Sequence, residues 1–477
     1  MENNRIRKRF ATCVAYLLAT AGVLEASIGL CQILGLYTSH NAIYRLTGTF
    51  YNPGPYSGFL AVCLPVCMGL YLEKKGQGIA TENMCLGAVL LVASMLPAGM
   101  SRTAWVAALA GCVLVIASYR CHNWQSLWRR NLWQWSFIAA IFMISIGTLG
   151  TFAYHLKKDS ADGRLLMWKV AAHAVVEHPL TGVGWDGVAG AYGNAQEEYF
   201  RSGRASKQEK RVAGSPEYVF NEYLQIAIAW GIPVTVLLVA VVSCGFWGCV
   251  RKGYYGLSGA LLALAIFSIA SYPFQFPEFV TVLILLVATG LPLFGSGLVL
   301  VLGSVICLNL LKRKIQAAEW EQTRYTYVMG YYEDAVKEAK LHYAEWDWNT
   351  RFVFEYGHAL HKLQLPEESN IVLKQALRVS SDPMILNIIG KNFEELGLPE
   401  EAEQWFLRST YRLPGRIYPY YLLAQLYATH SDRFPPNRLE WAVNRVLAEE
   451  PKIESSAVRE MRNCARKLLN GYHEKNK

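Results

Sequence analysis

Apolar positions fall into membrane-length blocks up to about Leu311 and into short helical stripes after it. The first block, Phe10 to about Leu36, follows Arg5, Arg7, Lys8 and Arg9, which predicts a membrane-crossing helix with its amino terminus in the cytoplasm. No short cleavage site follows the block, so it reads as a retained anchor. Further spans are predicted from about Tyr56 to Leu72, from Met84 to Ala98, and from the polar turn Met100-Ser101-Arg102-Thr103 to Tyr119. Three more run from about Trp133 to Tyr154, Tyr218 to Val242 and Tyr255 to Ala270. Val280 to Leu311 would be roughly 48 Å as one helix, long for a hydrocarbon core of about 30 Å. A turn at Gly295-Ser296-Gly297 would divide it into two short spans and leave the tail outside, whereas Lys312-Arg313-Lys314 argues for the inside.

One long polar segment, 155–217, interrupts this apolar half. It opens with an amphipathic helical pattern from Gly163 to Glu177, stopped by His178-Pro179, and continues through the glycine-rich turn Thr181-Gly182-Val183-Gly184-Trp185-Asp186-Gly187. A basic stretch, Arg201 to Arg211, reads as a mobile link, and Asn221-Glu222-Tyr223-Leu224-Gln225 forms a polar cluster where the chain returns to an apolar phase. A polar segment of this length and mixed composition inside a compact structure is usually functional.

From Gln316 the pattern changes to consecutive amphipathic helices. Between Asp382 and Pro414, the placement of Gly390, Phe393, Gly397, Ala402, Phe406 and Pro414 is close to tetratricopeptide spacing, with small residues where paired helices cross; a plain helical hairpin array is the alternative. The expected fold is therefore all-α: residues 1–314 a polytopic membrane domain with an extracytoplasmic loop 155–217, and residues 315–477 a helical repeat domain.

Charge follows the same division. Up to Lys314 there are 25 Lys+Arg against 14 Asp+Glu, a balance of +11; from Ile315 there are 21 against 23, a balance of −2. The excess belongs to the membrane half, which points to topology and to anionic lipid or pyrophosphate, not to nucleic acid. The 11 cysteines include no CxxC pair and none in the polar loop, against a disulfide framework or zinc site; no metal and no cofactor are expected. Arg45, Arg102 and Arg164 each lie at an expected outer boundary, and guanidinium forks suit diphosphate oxygens. A simple interfacial anchor is the alternative for any one of them.

Five motifs occur in one order: Thr47-Gly48-Thr49-Phe50-Tyr51-Asn52-Pro53, Ser101-Arg102-Thr103-Ala104, Gly163-Arg164-Leu165 with Trp168, Pro179-Leu180-Thr181-Gly182-Val183-Gly184, and Asn221-Glu222-Tyr223-Leu224-Gln225. Together they resemble the O-antigen ligase/polymerase family of bacterial membrane glycosyltransferases over about residues 20–290, with a tetratricopeptide tail like that of Bacteroidetes members. The resemblance implies inverting, metal-independent transfer of a glycan from an undecaprenyl pyrophosphate carrier to an acceptor hydroxyl on lipid A core, surface glycan or protein, in lipopolysaccharide or other polysaccharide biosynthesis. The implied place is the outer face of the inner membrane, with the repeats periplasmic and available to a protein partner. It further implies that Arg164, with Arg45 or Arg102, holds the pyrophosphate leaving group.

One departure stands out. The family pattern often has His immediately before the Asn of the last motif, and here that place is Phe220. Glu222 is the expected substitute base, since a carboxylate desolvated at a membrane edge moves toward the general-base range; a purely structural role is the alternative. His173 and His178 are further candidates, Asn221 belongs to the same motif, and Trp185 with Asp186 would stack on and hydrogen-bond a sugar. Three other readings stay open: a repeat-unit polymerase, a transporter for lipid-linked glycans, and a non-catalytic scaffold.

Overall fold

The computed structural model describes residues 2–120, 158–451 and 454–475, and every regular element among them is helical. The span expected over Trp133 to Tyr154 lies outside the described residues. In chain order the first helices are α1 (Glu2–Leu34), α2 (Pro53–Lys74), α3 (Ile79–Ala98), α4 (Arg102–Arg120), α5 (Lys158–Glu177), α6 (Val188–Arg201), α7 (Lys207–Val212), α8 (Glu222–Arg251), α9 (Tyr255–Ile269), α10 (Pro277–Gly290) and α11 (Leu293–Thr323). Six helices among the described residues are long and apolar enough to cross a membrane: α1 from Arg5, α2, α3, α4, α8, and α11 with its extension to Val328. The chain divides into two compact units. One comprises Met1–Lys158, Phe220–Tyr223 and Val234–Lys312; the other comprises Asp159–Val219, Leu224–Pro233 and Arg313–Lys477.

In the first unit α2 and α9 pack against α4, and α1 and α3 pack against α2. Helices come this close because their crossings are made of glycine. A Cβ at Gly69 would sit 2.6 Å from the Cα of Gly256, and one at Gly111 would sit 2.6 Å from the carbonyl oxygen of Gly259. Outward-facing side chains such as Leu17, Leu237, Leu302 and Leu308 are apolar and exposed, as on a surface that meets lipid. At one end of this unit Arg7 donates to the carbonyl of Leu291, and Lys252 donates to the carbonyls of Thr289 (3.0 Å), Gly290 and Leu291 (3.2 Å). These cations satisfy the last carbonyls of α10 and oppose the negative end of its dipole.

The long apolar run after Val280 does divide into two helices, but at Leu291-Pro292 and not at Gly295-Ser296-Gly297. Proline cannot donate a backbone hydrogen bond and forces the preceding residue out of the helical region; Leu291 is extended at φ −70°, ψ 163°. Gly295 and Gly297 instead lie inside α11, where Ser296 Oγ donates to the carbonyl of Ala288 at 2.7 Å. The second helix is accordingly 31 residues long and runs through Lys312-Arg313-Lys314 without a break.

The second unit joins the polar segment to the carboxyl-terminal helices α12 (Tyr332–Trp346), α13 (Thr350–Lys362), α14 (Pro366–Val379), α15 (Pro383–Glu395), α16 (Pro399–Arg412), α17 (Tyr418–Thr429), α18 (Pro436–Ala448) and α19 (Ser456–Lys475). Consecutive helices pack in pairs. Proline opens α14, α15, α16 and α18, where its missing N–H costs nothing. Small residues mark the crossings: a Cβ at Gly357 would lie 2.5 Å from Leu373, and one at Gly390 would lie 2.4 Å from Phe406. Helix α6 packs on α14 and α16, and Leu413 belongs to the same buried cluster as Leu166, Val170, Tyr192 and Ile228.

The basic stretch expected to be mobile is ordered. Ser206 caps α7 in a capping box with Glu209, Lys169 pairs with Glu209 at 2.9 Å, and Arg211 pairs with Asp159 at 2.8 Å. Its charges are placed to close a short helix, a spacing that reads as polar linker until the cap is recognised.

Candidate active site

Four segments meet at one end of the first unit, and each is held there by its own sequence chemistry. Residues 45–57 are anchored from α1. The Oε1 of buried Gln32 accepts the backbone N–H groups of Thr47 (2.9 Å) and Gly48 (2.8 Å), and Glu25 accepts the backbone N–H (3.1 Å) and hydroxyl of Thr49. Gly48 has φ +58°, and a Cβ there would lie 2.3 Å from Glu25 Oε2, so the position admits only glycine. Arg45, exposed, donates through Nε to the carbonyl of Gln32 at 3.3 Å. Asn52 then caps α2, accepting the Gly54 N–H at 2.9 Å, with Pro53 in the first turn.

The α3–α4 corner lies against the start of α2, where a Cβ at Gly99 would fall 1.9 Å from Ser57 Oγ. Arg102 opens α4 directly after this corner. On the other side Phe50 places its ring 5.7 Å from that of Phe276, in the stretch between α9 and α10. The same stretch holds the return of the polar segment: Phe220 packs edge-on to Tyr272 at 4.9 Å, and Glu222 Oε1 accepts the Phe274 N–H at 2.6 Å. Phe220 sits at φ +54°, a left-handed conformation that costs a bulky residue about 1–3 kcal/mol and is found where a functional site over-determines the backbone.

Glu222 is 1% exposed, and its Oε2 has no hydrogen-bond partner among the described residues. A buried carboxylate with one oxygen held and the other unpaired is costly as structure and suited to taking a proton. Behind it, Tyr223, Phe274, Leu238, Val239, Leu261 and Ala265 help line an apolar recess of about 100 Å³.

Arg45, Arg102, Asn221 and Glu222 thus belong to one unit. Arg164, His178, Trp185 and Asp186 belong to the other. There Arg164 is half-buried on α5, and His173 and His178 are exposed. Trp185 packs on the apolar cluster of the polar segment, and Asp186 is taken up by a two-point ion pair with Arg313 (2.5 and 2.9 Å). Burial, with the neighbouring Glu198, raises the Glu177 carboxyl above its ordinary value.

The glycine-rich turn has a structural task. Gly231, at φ +83°, breaks α8, and Val183 and Gly184 donate their N–H groups to the carbonyls of Ile228 and Ala229, both at 2.9 Å. Ile232 donates to the Pro179 carbonyl at 2.8 Å. A Cβ at Gly182 would lie 2.3 Å from the Ala229 oxygen, so the turn docks only because it lacks one.

In comparison with known proteins, residues 87–239 match the family model described as O-antigen ligase. Over those residues the chain resembles the O-antigen ligase family. No curated protein and no solved structure matches the chain. The matched residues run from Gly87 in α3 through α4 and the polar segment to Val239 in α8. They lie in a multi-pass membrane protein, with six helices among the described residues long and apolar enough to cross a bilayer. The anchored 45–53 loop, the 272–278 stretch and the helical pairs lie outside the matched residues.

Sequence patterning passed over Gln275. Its side-chain nitrogen is buried without a partner among the described residues, one residue beyond the Glu222 contact. The available signal was a lone amide inside the aromatic and proline run Tyr272-Pro273-Phe274-Gln275-Phe276-Pro277.

Proposed function

We propose that this protein transfers a glycan from a polyprenyl pyrophosphate carrier to an acceptor hydroxyl, with inversion at the anomeric carbon. The observation that carries the reading is the buried, half-satisfied carboxylate of Glu222 at the bundle end that also holds the segments of Arg45 and Arg102. Glu222 takes the acceptor's proton. Arg164, with Arg45 and Arg102, binds the pyrophosphate, whose negative charge grows as the glycosidic bond breaks, so that preorganised cations favour the transition state over the ground state. Asn221, His178 and Trp185 contact the sugars, and Asp186 fixes Arg313. The apolar recess behind Tyr223 and Phe274 suits a branched isoprenoid methyl more than any polar group.

Arg164→Lys keeps the charge and loses the two-point fork. It is expected to lower transfer roughly 100–1000-fold, the usual consequence of removing one preorganised donor to a developing anion. Transfer is read as loss of carrier-linked glycan and gain of acceptor-linked glycan in membranes with matched protein levels. A parent rate would remove Arg164 from the site.

The reading also sets sides. The Arg5–Arg9 cluster supports an amino terminus in the cytoplasm, with the Glu222 end outside. A reporter inserted at exposed Gly203, where a side chain meets open space, and one after Lys477 are both expected to be active only outside the cytoplasm, because residues 159–219 and 313–477 share one core. Cytoplasmic activity of the Gly203 reporter would overturn the orientation.

A further inference from the structure

Glu222 Oε2 and Gln275 Nε2 are both buried, and neither has a partner among the described residues. One is an acceptor and the other a donor, and they flank the same hydrogen bond, since Glu222 Oε1 accepts the N–H of Phe274, the residue before Gln275. The two groups are complementary in hydrogen bonding and are not bonded to each other. Their backbones are fixed independently. Gln275 ends the short 3₁₀ turn Pro273–Gln275, and Glu222 follows the left-handed Phe220, whose ring is packed on Tyr272. A hydroxyl is the group that answers both at once, donating to the carboxylate and accepting from the amide.

We propose that Glu222 and Gln275 together seat the acceptor hydroxyl, Gln275 being a positioning residue whose amide holds the attacking oxygen. This rests on the glycan-transfer reading and adds to it the group that selects the nucleophile. In the step, the hydroxyl proton passes to Glu222 Oε2 while the oxygen forms a bond to the anomeric carbon. The bond from that carbon to the pyrophosphate oxygen breaks, and its electron pair leaves with the diphosphate. Glu222 then releases the proton to water. Gln275 neither gains nor loses a proton; it orients a lone pair along the line of attack and lowers the freedom of the bound acceptor.

The test uses the full chain in membrane vesicles. A chloroform–methanol extract of cells deleted for the gene supplies carrier-linked donor at a fixed level, and a phenol extract of the same cells supplies acceptor, which is titrated. Gln275→Met, close in size and without a donor, is expected to lower the rate roughly tenfold at low acceptor, as for one lost hydrogen bond. The loss should shrink as acceptor is raised, with dependence on donor unchanged. Gln275→Glu, which replaces the donor by a second carboxylate, is expected to lose more, and it carries the test should Gln275→Met fail to accumulate. Curves for both variants that coincide with the parent, or fall by one factor at every acceptor level, would overturn the proposal. Loss in Glu222→Gln in that same experiment would leave the transfer reading standing; parent behaviour of Glu222→Gln would remove that reading instead.

Discussion

Glu222→Gln is expected to cut glycan transfer by roughly 100–10,000-fold, the range for loss of a general base, with the protein still present and folded in the membrane. The substitution is nearly isosteric. Its amide oxygen can keep the 2.6 Å contact with the Phe274 N–H, so the turn between α9 and α10 and the packing of Phe220 on Tyr272 are retained. What changes is the second oxygen, buried and unpaired in the parent, which becomes a donor unable to accept a proton. Transfer and thermal unfolding are measured on the same vesicles. A parent rate would make Glu222 a structural residue, and the chemistry would then use another base or none beyond water.

The largest stability effect is expected far from this chemistry, at Glu197 on α6. Its carboxylate binds two arginines of α16: Arg408 Nε at 2.8 Å, and Arg412 Nη2 at 3.0 Å. Arg412 is fully buried, its Nη2 also reaches Asn194 at 2.8 Å, and its Nε and Nη1 have no acceptor among the described residues. Burial pulls this guanidinium below its ordinary value, against the Glu197 carboxylate. Glu197→Gln leaves the charge buried and uncompensated, a change that typically costs about 3–5 kcal/mol. Protease sensitivity of residues 313–477 should rise together with that of the polar segment, and the thermal midpoint should fall. Glu197→Leu combined with Arg412→Leu should recover most of the loss, because neither ion then remains to be desolvated. Unchanged melting of Glu197→Gln would mean that the pair does not hold α6 to α16.

Legibility in the sequence followed the range of the interaction. Local signals were sufficient for the helices: Asn52-Pro53 starts α2 and His178 ends α5, because capping and proline chemistry act within a few residues. The division after Val280 was legible as a length problem, but its place was set by Pro292 and not by the two glycines, which a helix tolerates where Ser296 bonds back to its preceding turn. Glu222 could be singled out as a polar group at a membrane boundary. The function of its neighbours could not, since Phe274 and Gln275 lie 52 and 53 positions away and no periodicity relates them. The union of the polar segment with the carboxyl-terminal helices was likewise hidden. It rests on Glu197 meeting Arg412, 215 positions on, and on Gly190 and Gly193, where a Cβ would strike the Arg378 carbonyl at 2.2 Å and Arg412 Nη1 at 2.2 Å.

The break in α8 bears on how this protein is made. A bilayer offers no partner to a bare carbonyl, yet Ile228 and Ala229 lie within a membrane-length helix and receive their bonds from Val183 and Gly184. Those donors leave the ribosome before the helix does, and 45 residues separate Val183 from Ile228. Stable placement of the helix therefore has a prerequisite elsewhere in the chain. The turn must be in place, and the intervening chain must close back on itself, before the kinked helix has anywhere stable to rest. Closing a loop of that length is entropically modest, so the order of assembly is set by delivery of the turn and not by the difficulty of closing the loop.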